Sequence, residues 1–585
     1  MADPIRIANC SGFFGDRLSA AKEMVEGGPI DVLTGDWLAE LTMLILARTR
    51  MKRPGAGYAR TFVTEMEQVM GTCLDKGIRV VSNAGGLDPD SCAEAVHEVA
   101  QKLGLNPKIA FVRGDDLMPN VNELIARDQL HHFETGEPIK DPSRFMTANA
   151  YLGCWGIVDA LERGADIVIT GRVTDAAVVC GPAAWHHGWT RNDWDPLAGA
   201  VVAGHVVECG TQATGGNYSF FKEVPGLERA GFPWAEIAED GSSVIGKHDG
   251  TGGEVSVGTV TSQLLYEIGG VEYFGPDVTT RFDTIQVEET GSDRVRIFGT
   301  QGEPPPETLK VCMNRAGGFR NDMRTCLTGL DIDEKAELIQ KAFWEACPFD
   351  PSDYEQVTTR LIRTDKEDPA SNEEAVAILH IAVKDPDEKK VGRAFANAMT
   401  ELALATIPGF FGVGGGPAGG RPFGVYEPAR VPANAVPQEV VFIDGDSRQI
   451  DSVIPPGDAN VVPLEGPKAD VPSGATRSVP LGLVFGSRSG DKGGNANLGI
   501  FARTDEAWAW LDSFMTTKEL QKLLPEVAQF EVDRARLPAI RSLNFVIHGI
   551  LEEGVAAATR QDGQAKSLGE WLRARHVDMP EALLP

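Results

Sequence analysis

The sequence has no paired-cysteine motif, and its nine cysteines are scattered along 585 residues. Neither CxxC spacing nor a Cys/His quartet occurs, which excludes the common zinc sites and argues against a disulfide framework. Scattered cysteines in apolar surroundings are typical of reduced, buried thiols in a reducing compartment. We therefore expect a cytoplasmic protein.

Long uncharged apolar runs are also missing. No window offers about 18 apolar residues without a charge, which is the length that a membrane-spanning helix needs. The N-terminal segment MADPIRIANC lacks the basic and then apolar pattern of a signal peptide. The sequence thus predicts no membrane association.

Basic residues are few. The chain has 84 acidic and 55 basic side chains, for a net charge of −29. A field of this sign repels nucleic-acid phosphates unless a basic patch reverses it, and only the short stretch 48–53 is basic. We expect no nucleic-acid binding, and an anionic substrate would need a local site of backbone N–H groups and a few cations.

Nucleotide motifs are absent as well, because the glycine loops match neither the Walker loop nor the GxGxxG fingerprint. The glycine-rich segment 409–424 fits equally a flexible connection or backbone close to a ligand. What the sequence does contain is an ordinary globular composition, 42% hydrophobic and 24% charged. The chain is longer than one hydrophobic core usually holds, so two or three packing units are expected.

The first part of the chain, to about residue 225, repeats a short apolar run, a Gly/Asp/Asn loop and a helical pattern. Such runs occur at 5–10, 30–34, 78–82 and 167–170. Their succession predicts an α/β fold in which a parallel sheet is covered by helices. Functional loops in such sheets lie at the carboxyl ends of the strands, which is where these polar loops fall.

Later segments have a different pattern. Residues 245–320 indicate a β-rich insertion, and residues 453–477 are rich in Pro, Gly and small polar residues without periodicity. That composition is typical of a linker. We predict a main α/β domain at 1–455, a linker at 456–477, and a small α+β domain at 478–585 with one sheet covered by helices.

Several strings, in order along the chain, resemble one family. They are IANCSGFFGDR (7–17), TGDWLAELTM (34–43), SNAGGLDP (82–89), TGRVTDAA (170–177), ECGTQATGGN (208–217), TVTSQLLYE (259–267) and LNFVIHGIL (543–551). Together they resemble the acyclic terpene utilisation (AtuA) family over nearly the whole chain. The tail from about 478 resembles the ferredoxin-like domain of that family, but Gly494 stands where we expect Asp.

This resemblance implies a function in the catabolism of acyclic terpenes, a route that runs on CoA thioesters. Relatives tend to accompany acyl-CoA carboxylases, dehydrogenases and hydratases. The expected partners are therefore a small-molecule acyl-CoA and proteins such as an acyl-CoA carboxylase or hydratase. A homo-oligomer is expected on general grounds for large enzymes.

Three side chains are predicted to be catalytic. Glu208 lies in a loop too polar and glycine-rich for a core, and it becomes a general acid/base if burial raises its pKa. Asp175 follows a strand end and is predicted to position Arg172 or to act as a base, with an Arg–Asp pair that braces two loops as the alternative. His248, flanked by Asp249 and glycines, is predicted to be a proton shuttle.

A further set of residues is predicted to bind substrate. Glycines between a strand and a helix N-terminus favour an anion, and the tail loop 488–497 packs charges and amides between two strands and is expected to close over the main-domain cleft. Helix caps and a tight hairpin are the alternatives. The set is Ser11, Gly12, Asp16, Asp36, Asn83, Gly85, Gly86, Arg172, Gln212, Asn217, Asp491, Lys492 and Asn495.

These features predict a lyase-type enzyme that hydrates, dehydrates or cleaves a branched acyl-CoA. Such a step needs an acid/base pair and an oxyanion stabiliser, here the N–H groups of Gly85 and Gly86, but no redox cofactor. Two alternatives stay open. One is a non-catalytic partner of an acyl-CoA-processing complex, and the other is a hydrolase or kinase-like enzyme with a carboxylate-bound Mg²⁺ at Asp16, Asp36 and Asp175.

Overall fold

The structure is a computed structural model that describes residues 3–413, 418–457 and 459–585. The middle of the glycine-rich segment 409–424 therefore lies outside the described residues. The chain forms two compact units. The first comprises Met1–Asn314, Tyr426–Val555 and Asp562–Pro585, and the second comprises Arg315–Val425 and Ala556–Gln561.

Short strands and helices alternate through the first half of the chain. The strands are β1 (Ile5–Asn9), β2 (Val32–Gly35), β3 (Arg79–Ser82), β4 (Ile109–Arg113), β5 (His131–His132), β6 (Phe145–Ala150), β7 (Ile167–Thr170), β8 (Pro233–Ile237), β9 (Ser243–Lys247), β10 (Glu272–Phe274), β11 (Thr279–Arg281), β12 (Gln286–Gly291), β13 (Arg294–Phe298) and β14 (Gln301–Glu303). The helices are α1 (Ala20–Gly27), α2 (Glu40–Lys52), α3 (Arg60–Lys76), α4 (Pro89–Leu103), α5 (Val121–Ala126), α6 (Trp155–Glu162), α7 (Ala177–His187), α8 (Trp194–Val207) and α9 (Val257–Leu264).

The second half contains longer strands and fewer helices. Up to residue 450 it has β15 (Thr308–Thr328), α10 (Ile332–Ala346), β16 (Gln356–Ile362), β17 (Val376–Asp385), α11 (Glu388–Val391), α12 (Arg393–Glu401), β18 (Phe411–Gly412), β19 (Arg421–Tyr426), β20 (Ala429–Pro432), β21 (Gln438–Phe442) and β22 (Ser447–Ile450). It ends with β23 (Thr476–Pro480), β24 (Gly486–Lys492), β25 (Asn495–Phe501), α13 (Asp505–Phe514), α14 (Thr517–Leu523), β26 (Val532–Leu537), β27 (Ser542–Ile547), α15 (Leu568–Ala574) and β28 (His576–Pro580).

The first unit is built around an eleven-stranded sheet of order β12-β13-β9-β8-β1-β2-β3-β7-β4-β21-β22. Its five central strands, β1, β2, β3, β7 and β4, pair in parallel. The predicted parallel sheet is thus confirmed for the centre of the main domain. Towards both edges the sheet becomes antiparallel, and the predicted β-rich insertion supplies β12 and β13 to this same sheet.

Helices cover both faces of the parallel strands. Successive side chains of a strand point to opposite faces, so Ile7 and Val32 join a core with α6, α7 and α8, whereas Ala8 and Leu33 join a core with α1, α3 and α4. All four residues of β2 and of β7 are buried. Burial on both faces explains why these strands are continuous apolar runs in the sequence.

The second unit has a different architecture. Strands β16 and β17 and the C-terminal part of β15 pair antiparallel, and α10 and α12 cover them. The rings of Phe343 and Phe395 meet edge to face at 5.2 Å between these two helices. This core is separate from the two cores of the eleven-stranded sheet.

The C-terminal segment forms a small antiparallel sheet of order β24-β25-β27-β26. Helices α13, α14 and α15 pack on one face, where Trp508, Leu520 and Leu572 meet Leu498 and Phe545. Between β22 and β23 the described residues form neither helix nor strand. No helix in the described ranges is long and apolar enough to cross a membrane.

Glu65 is a carboxyl buried inside one of these cores. It lies in α3 with 2% of its surface exposed, and the Cys10 thiol lies 4.0 Å from its Oε2. Burial, with a contribution from the charge of Asp16, raises the pKa of Glu65 from 4.5 to about 8. The folded protein therefore keeps a proton that the unfolded chain releases, and this contribution to stability is lost as the pH rises through about 8.

We predict that Glu65→Gln makes the free energy of unfolding less dependent on pH between 5 and 8. The wild type should lose more stability than the variant over this window, by at most about 1.4 kcal/mol per pH unit. Denaturant unfolding at several pH values measures the difference. Glu67→Gln, at an exposed position of the same helix, is the control, and equal slopes for wild type and Glu65→Gln would contradict the pKa assignment.

Candidate active site

Polar side chains meet where three neighbouring parallel strands end. Asp36 follows β2, Asn83 follows β3, and Arg172 lies two residues beyond β7. Asn83 donates from Nδ2 to Asp36 Oδ1 at 2.5 Å and accepts at Oδ1 from the N–H of Trp37 at 2.9 Å. Arg172 Nη1 donates to the carbonyl of Leu38 at 3.2 Å. Hydrogen bonds of these side chains therefore connect the three loops. All three side chains are among the residues predicted from the sequence.

Arg172 is the most deeply buried charge of this group, with 2% of its surface exposed. Its Nη2 lies 2.8 Å from Asp175 Oδ1, and its guanidinium lies 4.1 Å from the centre of the Tyr151 ring. Its backbone N–H donates to Asp115 Oδ2 at 2.9 Å. Burial raises the pKa of Asp115 to about 7, while the hydrogen bonds from Arg172 and Asn149 oppose this shift.

Glu208 lies next to His205 at the end of α8. Its Oε1 is 3.1 Å from His205 Nδ1. Burial raises the pKa of Glu208 well above its usual range, and the charges of Asp175 and Glu267 add to this shift. Burial also lowers the pKa of His205 to about 4. With His205 Nδ1 on Oε1, Oε2 is the carboxyl oxygen that no group of the described residues hydrogen-bonds.

The small C-terminal sheet contributes the hairpin tip between β24 and β25. Lys492 Nζ donates to the carbonyl of Glu267 at 2.8 Å, and Asp491 Oδ1 lies 3.9 Å from Lys566 Nζ. Burial, followed by the charge of Glu40, raises the pKa of Asp491 to about 7. Both predicted residues are the last two of β24, so segment 488–497 forms the tight hairpin that was the alternative in the sequence analysis. The charge of Lys492 is also among the causes that lower the pKa of His205.

Several buried polar atoms of this cluster make no hydrogen bond within the described part of the chain. They include Arg172 Nε, His205 Nε2, Glu208 Oε2 and Asp491 Oδ1. Buried polar atoms are normally paired, and exceptions concentrate where a substrate or water completes the set. The cluster is therefore the best candidate for an active site in the first unit.

Residues at the loop after β1 have structural contacts. Asp16 Oδ2 accepts from the N–H of Gly12 at 3.0 Å, and Ser11 Oγ donates to the carbonyl of Phe13 at 3.0 Å. A Cβ on Gly12 would lie 2.5 Å from the carbonyl carbon of Cys209. This loop consequently supports the segment that carries Glu208. The Asp16 carboxylate accepts a hydrogen bond from the backbone of its own loop.

Gly85 and Gly86 form a tight turn after β3. The N–H of Gly86 already donates to the carbonyl of Asn83 at 3.2 Å, and a Cβ on Gly85 would lie 2.5 Å from the carbonyl oxygen of Thr170. The Gly86 amide is therefore not free to bind an oxyanion, which differs from the prediction made from the sequence. Close packing of the loops after β3 and β7 accounts for these glycines.

Four other predicted residues have contacts of their own. His248 Nε2 donates to the carbonyl of Met24 at 2.9 Å, against α1, and Asn217 occupies an exposed turn with φ +60°. Asn495 donates to Glu134 Oε1 at 3.0 Å. Gln212 Oε1 accepts from Arg488 Nη2. The catalytic function of His248 stays a prediction from the sequence, and its contacts favour a structural one.

Five residues of the cluster were not predicted from the sequence. His205 Nδ1 lies 3.1 Å from Glu208 Oε1, Lys310 Nζ lies 3.7 Å from Glu40 Oε1, and Lys566 Nζ lies 3.8 Å from Glu267 Oε1. Glu40 and Glu267 lie in the shared strings TGDWLAELTM and TVTSQLLYE, which was their only signal. His205 lies in α8, Lys310 in β15 and Lys566 in a turn before α15, and no motif marks these three.

Comparisons with known proteins identify the family of the chain. A family model described as acyclic terpene utilisation family protein AtuA matches residues 5–442. The chain belongs to the AtuA family. The AtuA ferredoxin-like domain matches residues 479–578, so the small sheet and its helices are the ferredoxin-like domain. No curated protein and no solved structure matches the chain.

The strand-end cluster does not form a metal site in the described part of the chain. Among the residues that the structure describes, no group of three or more His, Cys, Asp or Glu side chains is arranged to hold a metal ion. Of the three carboxylates considered for Mg²⁺, Asp36 and Asp175 lie close enough for their charges to interact. Asp16 is instead held by the amides of Gly12 and Arg17.

Gly494 is where the chain departs from the AtuA pattern that we expected. A Cβ at this position would lie 2.5 Å from the carbonyl oxygen of Glu552, and the carbonyl of Gly494 accepts from the N–H of Leu551 at 2.9 Å. The 551–552 backbone thus fills the space that an Asp side chain would need. Either this protein lacks an acidic function in the loop, or Asp491 supplies it, and this choice stays a prediction from the sequence.

We predict that Gly494→Ala destabilises the protein by about 1–3 kcal/mol, because the added methyl group forces the hairpin away from the 551–552 backbone. Thermal and denaturant unfolding measure the loss. Gly270→Ala is the matched control, since a Cβ there meets nothing within 4 Å. A Gly494→Ala protein as stable as this control would show that the contact is not tight.

Proposed function

We propose that this AtuA-family protein is an enzyme that hydrates, dehydrates or cleaves a branched acyl thioester. The observation that supports this most is the pair of carboxyls with different surroundings. Glu208 is buried beside a neutral imidazole with Oε2 unpaired, whereas Asp175 lies 2.8 Å from a guanidinium and keeps 27% of its side chain exposed. Two carboxyls whose surroundings differ in this way are typical of acid/base catalysis.

The hydration direction assigns one proton transfer to each carboxyl. Asp175 takes a proton from water as the water oxygen bonds to the β-carbon of an enoyl thioester. The electron pair of the double bond moves towards the carbonyl oxygen, and Glu208 then delivers its proton to the α-carbon. Dehydration is the same sequence in reverse, and cleavage begins with Asp175 taking the proton of a β-hydroxyl group.

Arg172 has a positioning function in this scheme. Its contacts to Asp175, Leu38 and the Tyr151 ring fix the direction of the Asp175 carboxylate. Lys310, Lys492 and Lys566 bring three ammonium groups to the cluster in a chain of net charge −29. Ammonium groups at a site favour an anionic substrate, and the phosphates of CoA meet this requirement.

We predict that Glu208→Gln binds acyl-CoA as the wild type does and loses turnover by about 10²–10⁴, the usual contribution of a general acid. Thermal shift with a panel of acyl-CoAs and free acids measures binding, since a ligand at about 100 times its dissociation constant adds about 2.7 kcal/mol to the folded state. Mass spectrometry of the same mixtures detects gain of water, loss of water or cleavage.

Glu94→Gln, at an exposed position of α4, is the matched control for that experiment. Absence of a shift with every thioester would refute the thioester substrate. Unchanged turnover in Glu208→Gln would refute the assignment of the acid while leaving the substrate class intact.

A further inference from the structure

Arg488 is a buried cation of the ferredoxin-like domain that pairs with no carboxylate of the described residues. It lies in β24 with 6% of its surface exposed. Its Nη2 donates to Gln212 Oε1, and its Nη1 donates to the carbonyl of Ser489 at 3.3 Å. Both acceptors are neutral. No Asp or Glu oxygen in the described part of the chain lies within ion-pair distance, 4.0 Å, of its nitrogens.

The two other buried Lys or Arg side chains described in the first unit each have a carboxylate partner. Arg172 Nη2 lies 2.8 Å from Asp175 Oδ1, and Lys247 Nζ lies 3.1 Å from Asp293 Oδ2. Such pairing is expected, because removing an ion from water is costly unless an opposite charge and hydrogen bonds compensate it. Arg488 is the exception to this pattern.

The charge of Arg488 does not depend on its surroundings, since a guanidinium stays protonated in proteins. Its carbon lies 4.2 Å from the centre of the Tyr266 ring. A cation–π contact of this kind offsets only part of the cost of burial. The environment of Arg488 therefore suits an anionic ligand.

Two N–H donors lie side by side at this position. Because Arg488 Nη2 bonds to Gln212 Oε1, the side-chain amide of Gln212 lies against the guanidinium. Arg488 Nε and Gln212 Nε2 have no acceptor among the residues that the structure describes. A planar guanidinium with a neighbouring amide N–H matches the two oxygens of a carboxylate.

The loop after α8 holds Arg488 next to the segment that carries Glu208. Gln212 ends the 3-10 turn 210–212, and this turn follows Glu208 directly at the end of α8. Further along the same loop, Ser219 Oγ donates to the carbonyl of Ser487 at 2.7 Å. Two hydrogen bonds thus fix β24 against this loop, and Arg488 reaches the turn that begins at the proposed acid.

The phosphates of CoA do not fit this position. The whole pantetheine chain separates them from the thioester, whereas Glu208 is proposed to act on the α-carbon next to the thioester. An anion that Arg488 binds must therefore belong to the acyl part of the substrate.

We propose that Arg488, together with Gln212, binds a carboxylate on the acyl chain, so that the substrate is the CoA thioester of a branched dicarboxylic acid. This inference rests on the proposed function, because the position of Glu208 defines where the acyl chain lies. The carboxylate neutralises the buried guanidinium and fixes the α-carbon with respect to Glu208. No bond forms or breaks at the carboxylate itself.

The test compares two thioesters of the same shape in the wild type. One is 3-methylglutaconyl-CoA, which has a carboxylate at the end of a branched enoyl chain. The other is 3,5-dimethylhex-2-enoyl-CoA, in which an uncharged isopropyl group replaces that carboxylate. Mass spectrometry follows gain of water or cleavage, and we expect kcat/KM to be about 10–100-fold higher for the carboxylate, as for a hydrogen bond to a charged group.

Three variants locate this preference. Arg488→Met should lose it by a decrease in kcat/KM for 3-methylglutaconyl-CoA alone, whereas Arg488→Lys keeps the charge and should retain part of it. Arg477→Met, an exposed arginine in β23, is the matched control and should behave as wild type. Because Met removes a buried unpaired charge, Arg488→Met should unfold at or above the temperature of the wild type.

The outcomes separate this inference from the proposed function. A wild type that turns over the isopropyl thioester as well as the carboxylate overturns the inference alone, and this comparison needs no variant to fold. An Arg488→Met protein that loses both thioesters equally also overturns it, since it shows a structural function for Arg488. A wild type that converts neither thioester overturns the proposed function and, with it, the carboxylate site.

Discussion

The buried guanidinium of Arg172 is the constraint on which the rest of the site depends. A charge with 2% exposure must be neutralised and hydrogen-bonded by protein groups, since removing it from water is costly otherwise. Asp175, the Leu38 carbonyl and the Tyr151 ring meet most of this need, while Nε keeps no partner among the described residues. Leu38 follows β2 and Asp175 follows β7, so one charge connects the loops after two parallel strands of the sheet.

That alignment follows from the parallel sheet. Strands β2, β3 and β7 are neighbours and run in the same direction, so the residues after them meet at one edge. A parallel strand is paired on both sides and buried on both faces, which leaves its carboxyl end as the place where polar side chains can accumulate. The antiparallel strands extend the sheet on both sides and do not contribute to this cluster.

The alternation of strands and helices and the resemblance to the AtuA family could be predicted because each depends on local sequence patterns. Asp36, Asn83 and Arg172 were found for the same reason, since each follows an apolar strand at a glycine-containing loop. No strand followed by a glycine-containing loop precedes His205 or Lys566. Only the packing of α8 and of the segment before α15 places these two residues in the site. His248 shows the opposite case: its neighbouring glycines suggest catalysis, whereas its ring packs against Gly27 and Gly28 at the end of α1.

The ferredoxin-like domain holds a turn of the main domain through side chains of its own strands. Glu267 lies outside the strand-end loops, and its backbone has φ +58°. Its N–H donates to Asn497 Oδ1, and its carbonyl accepts from Lys492 Nζ. Because the left-handed conformation is unfavourable for a residue with a Cβ, these hydrogen bonds offset a local cost in the main domain. The conformation of this turn therefore depends on the docking of the small domain, whereas the central parallel strands of the large sheet are paired by one another.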